Sequence, residues 1–108
     1  MEYSKITAII RTLKLEAVER SLQKIGVKGI SISRVKGYGE YKNYFRRDFM
    51  VSHVRIEIYS SVSKVEEIVQ AIMEAAHCGL AGEGIVAIIP VERIYRIRTK
   101  AEATIEEI

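Results

Sequence analysis

The order of hydrophobic periods along this 108-residue chain predicts an α+β fold, with two helices on one face of an antiparallel sheet. Segments of period two and period 3.6 succeed one another as β-α-β-loop-β-α-β, one helix in each half. Glycines close both helical stretches. The length suits one domain, residues 1–108, with a modest core.

Residues 5–11, KITAIIR, are short and β-branched and read as the first strand. Leu15, Val18, Leu22 and Ile25 recur at helical spacing within 13–25, and Gly26 ends that helix. ISISRVK, residues 30–36, alternates as a second strand until Gly37-Tyr38-Gly39 breaks it. Residues 40–53 carry neither period and predict a long projecting loop. VRIEIY, residues 54–59, is the third strand. Val65, Ile68, Val69, Ile72, Met73 and Ala76 share one face of a helix over 64–77, and glycines follow at 79, 82 and 84. IVAII, residues 85–89, predicts a fourth strand stopped by Pro90, and RIYRIRT, residues 93–99, a short fifth. AEATIEEI reads as an acidic tail or a fraying helical turn. The whole is a ferredoxin-like βαββαβ sandwich with a short extra C-terminal strand. Apolar residues alternate onto both strand faces, so the second sheet face is expected to pack on other copies in a cyclic homo-oligomer.

Nearly half the residues are apolar (48%) and Trp is absent, a globular composition rather than a disordered one. The net charge of +3 suits an anionic ligand. The single cysteine, Cys78, excludes an intramolecular disulfide. No apolar run approaches a membrane span and no secretory pattern opens the chain, so a cytoplasmic location is the expectation. His77-Cys78 with the distant His53 is no zinc spacing. No base is indicated beside Cys78, whose expected role is packing at the helix end. No paired carboxylates stand out, and no GK[ST] follows the glycines. Neither a catalytic residue nor a metal site is predicted.

Three groups of residues carry binding chemistry. The glycines around Glu83, with Gly82 and Gly84 flanking it, can bring successive backbone N–H groups to an anion, or can simply cap a helix and turn the chain. Arg96 and Arg98, two apart on a predicted strand, would leave one face ~6.8 Å apart, suited to clamping phosphates or to a salt-bridged edge. Glu57 alternates with Ile56 and Ile58 and can accept a ribose hydroxyl or pair with a cation across the sheet. In the loop, Tyr41, Tyr44, Phe45, Arg46, Arg47 and Phe49 form the aromatic and arginine mix of a protein interface, or fold back on the body.

AIIR, KLEAVERSLQKIGVKGISISRVKGYG, VRIEI, CGLAGEG and VERIYRIRT occur in this order over nearly the whole chain. Together they resemble the PII signal-transduction family. The resemblance implies a homotrimer with three inter-subunit clefts, each binding ATP or ADP and often 2-oxoglutarate. It also implies a regulatory rather than catalytic role, exerted on an enzyme or transporter of nitrogen metabolism through the loop 40–53, the family's T-loop. Residues 78–84 correspond to a glycine-rich B-loop and 90–108 to a C-terminal segment. Ile9, Gly29, Ser31 and Glu57 match the adenosine side of the cleft. Gly37 and Gly39 match points where backbone nears the base and phosphates. Arg96 and Arg98 match phosphate-contacting arginines that reach the neighbour's cleft.

The sequence departs from the family pattern at several of these points. Leu80 and Ile85 replace basic residues, Glu40-Tyr41 replaces Arg-Gln, and His53 replaces a lysine. Each lost charged contact is typically worth ~1.5–3 kcal/mol. The implied effector is therefore ADP or AMP rather than Mg-ATP with 2-oxoglutarate, and no cofactor is obligatory. Phe49 stands where some relatives have a modified tyrosine. Two other functions remain open: an interaction trimer with a degenerate cleft, and an RNA-binding ferredoxin-like module. The central strands lack an RNP-like aromatic pattern, so a nucleic-acid partner is not expected.

Overall fold

The computed structural model describes residues 2–35, 52–79 and 83–108. Its four-stranded antiparallel sheet has the order β2-β3-β1-β4, built from β1 (Tyr3–Arg11), β2 (Ser31–Val35), β3 (His53–Ser61) and β4 (Gly84–Val91). Helices α1 (Leu15–Lys24) and α2 (Val65–Ala76) cross between β1 and β2 and between β3 and β4. The ferredoxin-like α+β arrangement read from the periodicity is the one observed.

The centre of the sheet is the β1–β3 ladder, in register from Tyr3↔Ser61 to Arg11↔His53. Alternation along it decides which side chains enter the core. Ile6, Ala8 and Ile10 of β1 and Val54, Ile56 and Ile58 of β3 point one way and are buried. Val18 and Leu22 of α1, and Val65, Ile68 and Ile72 of α2, close over them. Each isoleucine, leucine or valine among them contributes about 1.5–3 kcal/mol by leaving water. The opposite face carries Lys5, Thr7 and Ile9 against Tyr59, Glu57 and Arg55, all less buried.

Both halves enter their helices in the same way. A strand ends in extended backbone at Arg11 or Ser61, a 3-10 turn follows (Thr12–Lys14, Val62–Lys64), and the helix begins without a side-chain cap. Helix α1 ends in a Schellman motif: Gly26 takes φ +84°, its N–H bonds Gln23 and the Val27 N–H bonds Leu22. The two halves thus echo each other in local geometry as well as in topology.

Four expectations are corrected. Pro90 does not stop the fourth strand but lies inside β4, opposite Ser4. β4 pairs only with β1, and a residue without an N–H is tolerated on such an edge. The third strand extends back to His53, because Arg11 offers it a ladder partner. The fifth strand is only β5 (Tyr95–Arg96), which reverses into β6 (Ala101–Glu102) as a separate two-stranded sheet. Lys100 adopts φ +57° in that reversal and its N–H bonds the Arg96 carbonyl. The acidic end is not frayed: a 3-10 turn, Ile105–Glu107, is closed by a capping box between Thr104 and Glu107. The buried Tyr3 hydroxyl donates to the Ala103 carbonyl at 2.9 Å and ties this segment to β1.

Among the described glycines, Gly84 is the one the fold requires most. It has φ +116°, and a Cβ there would lie 1.7 Å from the Ile9 carbonyl oxygen. Because the obstacle is backbone of the paired strand, Gly84→Ala is expected to cost at least about 2 kcal/mol in urea unfolding. An unchanged unfolding midpoint would refute the close approach of β1 and β4.

Candidate functional site

Two cavities of about 420 Å³ each lie at opposite ends of α2. The first takes Lys64, Glu67 and Ile68 from the beginning of that helix, and the second takes Val69, Ile72, Met73 and Ala76 from the rest of it. The first opens at the β2 edge of the sheet, between the turn after α1, the end of β3, the start of α2 and the C-terminal turn. The second opens at the β4 edge, between the ends of β1 and α2 and the start of β4.

The first cavity gathers Gly29, Ser31, Glu57 and Arg96 from the residues expected to bind. Gly29 and Ser31 arrive together because the Schellman turn sends the chain directly into β2, where Ser31 pairs with Glu57. Lys28, Lys64, Glu67 and Glu107 also line it. Sequence reasoning did not single these out as ligand contacts. The Thr104-x-x-Glu107 capping signature could have located the last of them. Lys28 lies beside Gly29 in the KG dipeptide of the turn and offered a weaker signal.

Glu57 takes the cross-sheet role. Its carboxylate meets the Lys5 ammonium at 2.8 Å, one diagonal step from its Thr7 partner. The hydrogen bond from Lys5 holds the Glu57 carboxyl below its usual pKa, and the same bond raises Lys5. The Lys5 nitrogen also sits 6.0 Å from the centre of the Tyr59 ring.

Arg96 is engaged by the end of its own chain. Its Nε is 3.0 Å from a Glu107 carboxylate oxygen, and another guanidinium nitrogen donates to the Glu107 main-chain carbonyl. Arg98 does not stand beside it on a common strand face. It lies in the turn between β5 and β6, and it is not among the residues lining either cavity. The two-pronged arrangement expected from an i, i+2 strand spacing is therefore corrected. The reason is that the chain reverses directly after Arg96.

The second cavity gathers Ile9, Glu83 and Gly84, together with Ile85 and His77. Glu83 folds back onto the end of α2: His77 Nδ1 is 3.0 Å from one carboxylate oxygen, and the Cys78 N–H donates to the other at 3.1 Å. The His77 hydrogen bond is the main cause that lowers the Glu83 pKa to about 2, and backbone donors at Cys78 and Gly79 add to it. The loop's own carboxylate thus takes amides that an incoming anion would use. Cys78 is exposed rather than packed at the helix end. Gly37, Gly39, Gly82, Tyr41, Tyr44, Phe45, Arg46, Arg47 and Phe49 lie outside the described residues. Among the described residues, no cluster of three or more His, Cys, Asp or Glu is placed to hold a metal, and no helix is long and apolar enough to cross a membrane.

The depressed Glu83 pKa fixes the sign of a pH effect. Above the ordinary value of 4.5 the carboxylate is ionised both folded and unfolded, and its stabilisation is fully present. Between 4.5 and about 2 the unfolded chain takes up its proton first, so the stabilisation falls and is lost through the folded pKa. Urea midpoints of wild type and Glu83→Gln should differ at neutral pH and converge as the pH falls across that window. A difference that persists at the acid end would refute the role given to Glu83.

The comparisons with known proteins agree with this architecture. The family model described as nitrogen regulatory protein P-II matches residues 3–101. The nitrogen regulatory protein P-II of Azospirillum brasilense is 39% identical over 102 residues, covering 88% of this chain and 91% of that protein. The P-II protein of Pasteurella multocida is 37% identical over 105 residues, covering 91% and 94%. The crystal structure of Arabidopsis thaliana PII bound to citrate superposes with a TM-score of 0.81 at 30% identity, covering 94% of this chain and 86% of that one. With sequence matched along nearly its entire length and the same fold, the chain belongs to the P-II family of nitrogen regulatory signal-transduction proteins.

Proposed function

We propose that this P-II protein binds an adenine nucleotide in clefts between the subunits of a homotrimer, and that it regulates a partner protein through residues 40–53. It acts as a cytoplasmic regulator rather than as an enzyme. The observation that carries this reading is the division of the expected contacts. Gly29, Ser31, Glu57 and Arg96 line a cavity at the β2 edge, and Ile9, Glu83 and Gly84 line one at the β4 edge. No residue lines both cavities, so within one chain the expected contacts fall into two separate sets. Head-to-tail association would set the β2-edge cavity of one copy against the β4-edge cavity of the next, and an interface of this kind forms a ring when its rotation closes.

Exposed apolar side chains favour the same association. Ile85 is 58% exposed, Ile88 and Ile89 on β4 are also open, and Ile97 beyond β5 is 95% exposed. A surface of this kind is normally covered by a partner. The citrate bound by the Arabidopsis neighbour supports an anionic ligand. The absence of basic residues at Leu80 and Ile85 favours ADP or AMP over Mg-ATP with 2-oxoglutarate. A nucleotide that biases the loop must have its affinity changed by the docked partner by the same factor.

A second reading has its own support. Glu57, Glu83 and Arg96 each have a charged or hydrogen-bonding partner within their own chain. This is what an interaction trimer with a degenerate cleft would show. Calorimetric titration with ADP and AMP, combined with sedimentation, separates the two. The nucleotide reading expects a three-chain mass, saturable heat with ADP, and at least tenfold weaker binding for Arg96→Ala. A three-chain mass with no heat up to high micromolar nucleotide selects the degenerate cleft. A monomeric chain overturns both.

A further inference from the structure

The C-terminal turn rests on the cation that the nucleotide reading assigns to the phosphates, and this inference depends on that reading. One oxygen of the Glu107 carboxylate is fixed within the turn, accepting from the Thr104 hydroxyl at 3.2 Å and the Thr104 N–H at 3.3 Å. The other faces Arg96 Nε at 3.0 Å. Lys28, a second cation of the same cavity, donates to the Glu106 carbonyl at 3.0 Å. Glu107 and Ile108 line the cavity beside Gly29, Ser31 and Glu57. The turn therefore presents a carboxylate and two carbonyls to Arg96 and Lys28, as an acidic ligand would.

The contact is also reversible by construction. The Arg96 and Glu107 side chains are 46% and 35% exposed, so water competes with the pair. A phosphate offers the guanidinium fork more negative charge and more acceptor oxygens than one carboxylate does. The turn is joined to the body at Tyr3–Ala103, upstream of Thr104, so residues 104–108 can leave without breaking that anchor.

We propose that the turn Ile105–Glu107 is a built-in competitor for the anion site: Glu107 holds Arg96 until the phosphate of an adenine nucleotide displaces it, and the turn is released as the nucleotide binds. The measured affinity is then reduced by the fraction of molecules whose arginine is occupied by the tail. Glu107 also sets a threshold of ligand charge, since an uncharged nucleoside cannot displace it.

The test compares wild type with Glu107→Gln, titrated calorimetrically with ADP. Glutamine keeps an acceptor for Thr104, so the capping box survives and only the charge on Arg96 is lost. Deletion of residues 105–108 is the second variant and carries the same expectation. Both should bind ADP about fivefold tighter than wild type, and in wild type ADP should speed hydrogen exchange of the Glu107 amide, which bonds the Thr104 carbonyl within the turn. Equal or weaker ADP binding by both variants, or unchanged Glu107 exchange, overturns the competitor and leaves the nucleotide reading standing. No ADP binding by any of the three proteins overturns both.

Discussion

The register of the β1–β3 ladder is the constraint from which the remaining structure follows. Pairing Ile6 with Ile58, Ala8 with Ile56 and Ile10 with Val54 commits those residues to the helical side. It commits Lys5, Thr7, Arg55 and Glu57 to the other side at the same time. A slip of one residue would exchange the two sets and bury the charges, so the apolar core and the polar face are specified by one event. The long crossings through α1 and α2 then have one apolar surface to cover. They leave β2 and β4 as the two free edges at which the cavities form.

A recurrent feature of those cavities is that charge is balanced inside the chain. Lys5 takes Glu57, His77 and the end of α2 take Glu83, and Glu107 takes Arg96. These are partly exposed pairs whose members exchange partners at small cost. That differs from a buried ion pair, where losing one partner strands the other. The arrangement gives Glu57, Glu83 and Arg96 each a charged or hydrogen-bonding partner within their own chain. The Glu83 contact has a further consequence, because it joins the end of α2 to the start of β4 and holds the roots of the glycine loop together.

The P-II family assignment and the geometry inform each other. The family match spans residues 3–101 and so includes the β4-edge cavity and all of the β2-edge cavity except Glu107 and Ile108. Leu80 and Ile85 are uncharged at positions where the resemblance implies basic residues. The remaining cation in the β2-edge cavity that the pattern assigns to phosphate is Arg96, and the turn that follows it in the chain contacts it.

The sequence by itself determined the layered architecture, the two helices and the extent of each hydrophobic face. Those depend on local periods of 2 and 3.6 residues, and Val65, Ile68 and Ile72 or Ile6, Ala8 and Ile10 display them without reference to any distant residue. The family motifs likewise pointed to Gly29, Ser31, Glu57 and Arg96, which one cavity does bring together. Tertiary structure alone decided which charges meet. Lys5 and Glu57 come from different halves of the chain and meet because of strand register, and Arg98 leaves Arg96 because β5 ends at Arg96 and residues 97–100 form the turn into β6. It also decided that Pro90 could stay within a strand, since only the sheet order makes β4 an edge. The division of the expected contacts between two cavities has the same origin. Strand order places segments that are neighbours in the motif list on opposite edges, and a linear pattern holds no information about which edge each will face.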